Sequence, residues 1–211
     1  SVGFDEITEA VQLGINVNID SLSNLEKFGS KFGDGFPIGI RIRPNVMAGG
    51  NLKISTGHDK SKFGIPVAQL DALKSIQENY QINIRTLHIH TGSEIKDVAI
   101  FIKSAEVFET LLPHFPTVEV LDFGGGFKVP YQPGEKGTDM PLLGAEVNKA
   151  MLHLSEKFGR NLSAWFEPGK YMVSEAGFFI AKVNVLKPSG DRTFAGLNTG
   201  LNHLIRPMFY D

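Results

Sequence analysis

The runs Ile84-Arg-Thr-Leu-His-Ile-His90 and Val118-Glu-Val-Leu-Asp-Phe-Gly-Gly-Gly126 enclose a segment with helical periodicity. Both runs are rich in β-branched and apolar residues and have the length of buried strands. Between them, apolar residues recur at steps of three and four, namely Val98, Ile102, Ala105, Phe108 and Leu112. Pro113 ends the pattern. A strand, a helix and a second strand in this order predict a right-handed βαβ unit with parallel strands.

The same alternation continues on both sides of this unit. Further strand-like runs are Ile15-Asn-Val-Asn-Ile19, Ile38-Gly-Ile-Arg-Ile42 and Leu162-Ser-Ala-Trp-Phe166. Further helices are predicted over residues 22–28, 67–79 and 143–158, and candidate N-caps are Asp20-Ser21 before Leu22 and Asp97 before Val98. Because each of the five strands ends in a polar or glycine-rich loop, the series favours part of a (β/α)8 TIM barrel over an open sheet.

The pattern changes after Phe166. Residues 171–187 form a long β-like stretch, Pro188-Ser-Gly-Asp191 has the composition of a turn, and Thr193-Phe-Ala-Gly-Leu197 has the composition of a strand. A strand, a turn and a strand after a βα series predict a second, all-β domain. We therefore predict a barrel portion over residues 1–170 and the start of a C-terminal β domain over residues 171–211.

Composition restricts the possible functions. The chain has 211 residues, a formal net charge of −2, 42% hydrophobic residues and no cysteine. This charge gives no basis for binding nucleic acid or an anionic membrane surface, and the apolar stretches are too short to span a bilayer. The absence of cysteine excludes disulfides and thiolate metal sites, and it suits a reducing cytoplasm.

Two glycine-containing loops are candidate phosphate sites. Gly124, Gly125 and Gly126 follow an apolar strand, and their N–H groups could converge on a phosphate because no Cβ intervenes. The same triplet could also form only a tight turn. It matches neither a P-loop nor a dinucleotide-binding fingerprint. Ser93, which follows Gly92, offers a hydroxyl group in a second loop of this type.

His88 and His90 alternate with apolar residues, so both imidazoles are predicted to lie on one face of their strand. A zinc hydrolase would use such a pair but needs further ligands at other strand ends. The remaining histidines do not follow strands in this way, and we predict no metal site. A single histidine at a strand end can be structural, or it can stack on an aromatic cofactor.

Glu167 is held in extended geometry by the following Pro168. Its carboxylate could be a metal ligand, a general base, the partner of a protonated ring nitrogen, or the ion-pair partner of Lys170. Arg206 and Tyr210 offer a guanidinium and a phenol four residues apart. This pair suits recognition of a carboxylate, although an Arg-Pro sequence also occurs in solvated loops.

A phosphate loop, an imidazole and a fixed carboxylate at the strand ends of one barrel are what pyridoxal phosphate requires. In this interpretation Ser93 and the glycine triplet hold the phosphate. His90 covers one face of the ring, and Glu167 keeps the pyridine nitrogen protonated so that the ring acts as an electron sink.

Four segments of the sequence resemble the diaminopimelate decarboxylases. They are Leu87-His-Ile-His-Thr-Gly-Ser93, Leu121-Asp-Phe-Gly-Gly-Gly-Phe127, Phe166-Glu-Pro-Gly-Lys170 and Leu204-Ile-Arg-Pro-Met-Phe-Tyr210. That family belongs to the alanine-racemase-like pyridoxal-phosphate enzymes, which include ornithine and arginine decarboxylases. The resemblance extends over essentially the whole chain, and Arg206 with Tyr210 favours diaminopimelate over the basic amino acids.

The resemblance implies roles for individual residues. The catalytic residues would be His90 and Glu167. The substrate's carboxylates would be bound by Lys170, Arg206 and Tyr210. The cofactor would be bound by Arg41, His90, Ser93, Gly124, Gly125, Gly126, Glu167, Pro168, Gly169 and Lys170. The family usually has Arg at the position of Lys170, and the replacement keeps the charge but loses the forked geometry.

The implied activity is decarboxylation of meso-2,6-diaminopimelate to L-lysine by a cytoplasmic homodimer whose ligands are small molecules. The resemblance also implies that this chain is an internal fragment, covering about strands four to eight of the barrel. Such a fragment would lack the family's Schiff-base lysine on the first strand and would be inactive alone. The alternatives are a related decarboxylase of arginine, ornithine or carboxynorspermidine, and a non-catalytic cofactor-binding or interaction protein without that lysine.

Overall fold

A computed structural model describes residues 2–44, 61–205 and 208. The chain divides into two compact units, Ser1–Ser174 and Glu175–Asp211. The proposed substrate-binding residues Arg206 and Tyr210 lie outside the described residues. None of the helices in the described part of the chain is long and apolar enough to cross a membrane.

The first unit is built on a parallel sheet. Its strands are β1 (Asn18–Ile19), β2 (Ile38–Arg43), β3 (Ile65–Pro66), β4 (Ile84–His88), β5 (Val120–Asp122) and β6 (Ser163–Trp165). The order of the strands in the sheet is β1-β2-β4-β5-β6. The short β3 pairs with the C-terminal end of β2. The five strands predicted from the sequence are confirmed, and their pairings are parallel, as βαβ units require.

Helices connect these strands. They are α1 (Phe4–Gln12), α2 (Leu22–Phe32), α3 (Leu70–Tyr80), α4 (Ala99–Leu111), α5 (Met140–Phe158) and α6 (Gly169–Val173). The four predicted helices correspond to α2 to α5 and are confirmed, with a 3-10 turn at Val67–Gln69 before α3. Helix α1 was not predicted, although Phe4, Ile7 and Val11 recur at helical spacing; Ile7 is buried and the other two pack against the core.

Ser21 is the N-cap of α2 as predicted, whereas the N-cap position of α4 is Val98, one residue after the predicted Asp97. The Oγ atom of Ser21 accepts a hydrogen bond from the backbone N–H of Asn24 at 3.3 Å, in the first turn of α2. Asp97 Oδ1 accepts a hydrogen bond from the N–H of Ala99 at 3.0 Å, at the start of α4. These local contacts fix where each helix begins after its strand.

The register of the sheet separates an apolar face from a polar face. Ile40, Leu87 and Leu121 pair laterally on β2, β4 and β5, and all three are fully buried in the hydrophobic core. The apolar residues of α4, such as Phe101 and Phe108, belong to the same core. Because side chains alternate along a strand, the next residue of each strand lies on the opposite face.

The second unit contains an antiparallel hairpin of β7 (Val183–Ser189) and β8 (Arg192–Leu197). The strands are joined by Gly190 and Asp191, and Gly190 has a φ of 61°, as a tight hairpin turn requires. The predicted strand, turn and strand are therefore confirmed.

The predicted β-like stretch over residues 171–187 is wrong in its first part, because α6 runs from Gly169 to Val173 and β7 begins only at Val183. Pro168 fixes the backbone just before the helix, and the Ser174 hydroxyl donates to the Lys170 carbonyl oxygen at its end. These local contacts outweigh the β-branched and aromatic composition.

Candidate active site

A row of polar residues crosses the sheet next to the apolar row. Arg41 of β2 pairs with His88 of β4, and His88 pairs with Asp122 of β5. Asp122 in turn pairs with Trp165 of β6, two residues before Glu167. The period of two in each strand and the parallel register therefore bring together a guanidinium, an imidazole and a carboxyl group from three separate segments.

His88 is held from the side of β1. The side-chain amide of Asn18 lies 3.4 Å from His88 Nδ1. Asn18 reaches across β2 at Gly39, where a Cβ atom would collide with the Asn18 side chain. Gly39 is thus required for the Asn18–His88 contact, because any other residue would block the path of the amide.

Three polar side chains converge at the carboxyl ends of β4, β5 and β6. One atom from each of His88, Asp122 and Glu167 lies within 4.8 Å of the others. His88 Nε2 is 3.7 Å from Glu167 Oε2, and this buried nitrogen has no hydrogen-bond partner among the described residues. A buried polar atom without a partner is uncommon in native proteins and is often found at functional sites.

The two carboxyl groups hold a proton more tightly than isolated ones. Burial, the charge of Asp122 and a hydrogen bond with Asp122 raise the pKa of Glu167, and the charge of Arg41 opposes this increase. Burial also raises the pKa of Asp122, but Asp122 Oδ1 accepts the N–H of Gly124 at 2.9 Å, which favours its ionised form. The proton of the pair therefore resides preferentially on Glu167.

Both histidines are neutral at physiological pH. Burial, then the charge of Arg41 and the presence of His90, lowers the pKa of His88 to about 3. Burial and Arg41 lower the pKa of His90 to about 4. The Nδ1 atom of His90 accepts the N–H of Gly125 at 3.1 Å, which fixes the plane of a neutral ring.

The loops that follow β4, β5 and β6 are in backbone contact. A Cβ at Gly126 would collide with the carbonyl oxygen of Gly92, and a Cβ at Gly125 would collide with that of Glu167. The N–H of Glu167 donates to the Gly124 carbonyl oxygen at 2.8 Å. Only glycines allow this close approach, so the triplet joins the Gly92-Ser93 loop to the Glu167 loop.

Aromatic side chains anchor the glycine triplet at both ends. Phe123, which precedes the triplet, stacks on Phe166 with ring centroids 5.5 Å apart. Phe127, which follows it, stacks on Phe101 at 5.4 Å and lies 6.0 Å from Phe166. The short glycine loop therefore spans two fixed points, which restricts its conformations.

The structure assigns internal partners to two of the predicted phosphate-binding groups. The N–H of Gly124 donates to Asp122 and that of Gly125 donates to His90. Binding of a phosphate by these two groups would require an exchange of hydrogen bonds. Their role stays a prediction, as do those of Ser93 and Gly126 in the same interlocked loops.

The Lys170 side chain contacts other charged and aromatic groups. Its ammonium is ion-paired with Glu94 and lies 5.5 Å from the centre of the Tyr131 ring. The predicted alternative, an ion pair between Lys170 and Glu167, is not the arrangement observed. The role of Lys170 in binding cofactor or substrate stays a prediction.

His88, Asp122 and Glu167 are also a donor set that a transition metal could use. No metal site was predicted because the remaining histidines do not follow strands, but the structure brings two carboxyl groups, Asp122 and Glu167, beside His88. However, the charge of Arg41 acts on all three residues. A guanidinium already balances the carboxylate charge at this position and disfavours a divalent cation.

The site fits pyridoxal phosphate better. The Glu167 carboxyl group, whose pKa is raised by burial and by Asp122, ends a strand where it could pair with a pyridine nitrogen, and the neutral ring of His90 lies in contact with Gly124. The unpartnered Nε2 atom of His88 gives the site one further donor. Gly92, Ser93 and Gly126 lie in the interlocked loops, where a phosphate can approach the backbone closely.

Sequence reasoning did not assign a role to Asp122 or to Asn18. The signal for Asp122 was present, because it ends an apolar strand directly before the glycine triplet. Asn18 carried no such signal, since its function depends on a contact across Gly39 that only the folded sheet creates.

Comparison with known proteins places the chain in a family. Residues 3–174 match the family described as "Pyridoxal-dependent decarboxylase, pyridoxal binding domain". The diaminopimelate decarboxylase of Methanothermobacter thermautotrophicus is 30% identical over 212 residues, which covers 98% of this chain and 49% of the relative. The chain thus spans about half the length of the curated relatives it matches.

Solved structures agree with this assignment. Diaminopimelate decarboxylase from Helicobacter pylori in complex with L-lysine is 27% identical, with a TM-score of 0.84 over 99% of this chain and 53% of that chain. Lysine/ornithine decarboxylase from Vibrio vulnificus in complex with cadaverine has the same fold, with a TM-score of 0.76 and 22% identity. The match covers 100% of this chain and 52% of that chain. The predicted α/β class of a partial barrel is confirmed. The chain belongs to the pyridoxal-dependent decarboxylases, whose pyridoxal-binding domain it matches.

Proposed function

We propose that the full-length protein containing this chain is a pyridoxal-phosphate-dependent carboxy-lyase that converts meso-2,6-diaminopimelate to L-lysine and CO2. The observation that carries the proposal is the position of Glu167, whose carboxyl group lies beside His88 and Asp122 and whose backbone N–H is bonded to the glycine triplet. The choice of substrate is supported by the names of the relatives and by the L-lysine bound in the Helicobacter pylori enzyme.

Pyridoxal phosphate, when bound, supplies a protonated ring that accepts the electron pair of the breaking carbon–carboxylate bond. Glu167 would share a proton with the ring nitrogen. Asp122, whose ionised form the Gly124 N–H favours, raises the pKa of Glu167, and the charge of Arg41 opposes that rise, so these two neighbours set how firmly Glu167 holds the shared proton. His90 presents a flat neutral ring, which can stack without adding charge.

The remaining roles in the proposal follow the family resemblance. Ser93 and the glycine triplet bind the phosphate, and the segment from Glu167 to Lys170, including Pro168 and Gly169, lies along the cofactor. Arg206 and Tyr210 bind a carboxylate of the substrate. A forked guanidinium suits this task because it binds a carboxylate through two parallel hydrogen bonds.

Three further properties belong to the same proposal. The protein acts in the cytoplasm, as the absence of cysteine suggests. It acts as a homodimer, as the family resemblance implies. Residues from 171 onward start a β domain, and the hairpin of β7 and β8 supports this assignment.

The experiment is a substrate comparison, with added pyridoxal phosphate, on the full-length protein that contains this chain. CO2 release and amino-acid products are measured with meso-diaminopimelate, arginine, ornithine and carboxynorspermidine. We expect the highest kcat/KM for meso-diaminopimelate and L-lysine as its product. Faster turnover of any other substrate contradicts the substrate assignment, and absence of decarboxylation on all four contradicts the proposed activity.

A further inference from the structure

Glu94, which directly follows Ser93, is the centre of an ionic cluster on the rim of the site. Its carboxylate is ion-paired with Lys170 and with Lys128, whose ammonium lies 3.0 Å from Glu94 Oε2. The Tyr131 hydroxyl donates to Glu94 Oε1 at 2.9 Å. Lys128 also pairs with Glu135 at 2.7 Å. Two ammonium and two carboxylate groups therefore balance one another.

This arrangement is costly for the backbone but well supported by its surroundings. Glu94 has a φ of 59°, in the left-handed region that non-glycine residues seldom adopt. The next residue, Ile95, is fixed by hydrogen bonds with Gly126 and Lys128. Such strain is retained where the structure requires a side chain in one direction. Here it directs the carboxylate of Glu94 towards the two lysines.

The Glu94 carboxylate is mostly shielded from water. Its side chain is 16% exposed, compared with 32% for Lys170. Partial burial acts to raise the pKa of Glu94, but hydrogen bonds from Lys170, Lys128 and Tyr131 outweigh it and lower the pKa. Glu94 is therefore ionised at neutral pH and remains bound to both lysines.

We propose that Glu94 is a specificity-determining residue, an internal carboxylate ligand that occupies Lys170 and so weakens the binding of external oxyanions at the Ser93 loop. The inference rests on the proposed function, because it concerns the phosphate and carboxylate groups of the ligands proposed above. An ammonium is a single point of charge, so one well-placed carboxylate can satisfy it, whereas a guanidinium would keep donors free. The ion pair of Glu94 with Lys170 thus sets the affinity of the Ser93 loop for anions.

The test compares two substitutions with the same change in charge. Glu94→Gln releases Lys170, whereas Glu135→Gln removes a carboxylate from Lys128 and leaves the Glu94–Lys170 pair intact. Binding of inorganic phosphate and of pyridoxal phosphate is measured by titration calorimetry. We expect Glu94→Gln to bind phosphate about tenfold more tightly, and Glu135→Gln to change the affinity less than about threefold. Adding Lys170→Met to Glu94→Gln should abolish the gain.

A second measurement needs no variant. The Nζ resonance of Lys170 is followed by NMR in the unaltered protein during addition of phosphate, and we expect it to stay in place because Glu94 already occupies the ammonium. A shift of that resonance, an equal gain in both variants, weaker binding in Glu94→Gln, or no phosphate binding in any of the proteins overturns the inference. A different amino-acid substrate contradicts only the proposed function, since phosphate binding is measured independently of turnover.

Discussion

The Nε2 atom of His88 faces the Oε2 atom of Glu167 at 3.7 Å, and that nitrogen has no hydrogen-bond partner among the described residues. The Asn18 amide donates to the opposite ring nitrogen, so the neutral ring carries its proton on Nε2. His88 therefore presents an N–H group to Glu167, and Asp122 lies beside both. These two neighbours have opposite effects on the proposed partner of the cofactor ring: the His88 N–H favours the ionised carboxylate of Glu167, and the charge of Asp122 favours its protonated form.

The Asp122→Asn substitution should lower the pKa of Glu167. Burial and the neighbouring Asp122 both raise this pKa, and the amide removes the charge while its oxygen can still accept the Gly124 N–H. The measurement is a carbon-13 NMR titration of the Glu167 carboxyl group. Asp139→Asn, in the exposed N-cap of α5, is the control and should leave the midpoint unchanged. An unaltered midpoint in Asp122→Asn would show that the two carboxyl groups are not coupled.

His88 should make the protein less stable in mild acid. Its folded-state pKa is about 3 and its ordinary value is 6.5, so below pH 6.5 the unfolded chain binds a proton that the folded chain does not. Stability is thus lost as the pH falls from 6.5 towards 3. The comparison is between the wild type and His88→Asn. The charged and titratable groups that face His88 are present in both proteins, so their own titration contributes to both; they are Arg41, His90, Asp122 and Glu167.

Between pH 6.5 and 5, we expect His88→Asn to lose about 1–2 kcal/mol less stability than the wild type, since one pKa unit corresponds to about 1.4 kcal/mol. Urea denaturation at the two pH values measures the difference. The control is His114→Asn at an exposed position, which should follow the wild type. Parallel losses in all three proteins would contradict a buried neutral imidazole.

Gly126→Ala should strongly destabilise the first unit. Gly126 has a φ of 91°, and a Cβ there would collide with the Gly92 carbonyl oxygen. Both effects act on backbone that cannot move easily, so we expect a loss of more than about 2 kcal/mol in the free energy of unfolding. Gly144→Ala in α5, where nothing lies within 4 Å of the new Cβ, is the control. It should stabilise by about 0.5–1 kcal/mol, and similar effects at both positions would contradict the interlocked loops.

Arg206→Ala and Glu167→Ala should affect turnover differently. In the full-length protein, loss of Arg206 would remove the proposed charge-assisted pair with the substrate, so we expect kcat/KM to fall roughly 30- to 1000-fold with little change in cofactor affinity. Loss of Glu167 would remove the proposed partner of the ring nitrogen, so kcat should fall while KM changes little. Steady-state kinetics and pyridoxal-phosphate titration separate the two. Loss of cofactor with an unchanged KM in Arg206→Ala would contradict its role in binding a carboxylate.

Much of the fold could be predicted because its signals are local. The strands at Ile38–Arg43 and Ile84–His88, the helix at Ala99–Leu111 and the Asp97 contact at its start follow from periods and side-chain types within short windows. Where a local signal was ambiguous, prediction failed. Residues 169–173 combine helical geometry with strand-like composition, and the contacts around Pro168 and Ser174 decide between them.

The sequence by itself determined which groups end each strand, because a strand and the polar loop that follows it are adjacent in the chain. His90, the glycine triplet and Glu167 could therefore be predicted to lie at strand ends. Only the tertiary structure decided which of these groups touch. The Asp122–Glu167 pair, the His88–Glu167 approach and the ion pair of Glu94 with Lys170 join residues far apart in the chain. The distances between these residues depend on the lateral register of the strands and on backbone packing between loops. Neither produces a repeating pattern in the sequence, so these contacts could not be predicted from it.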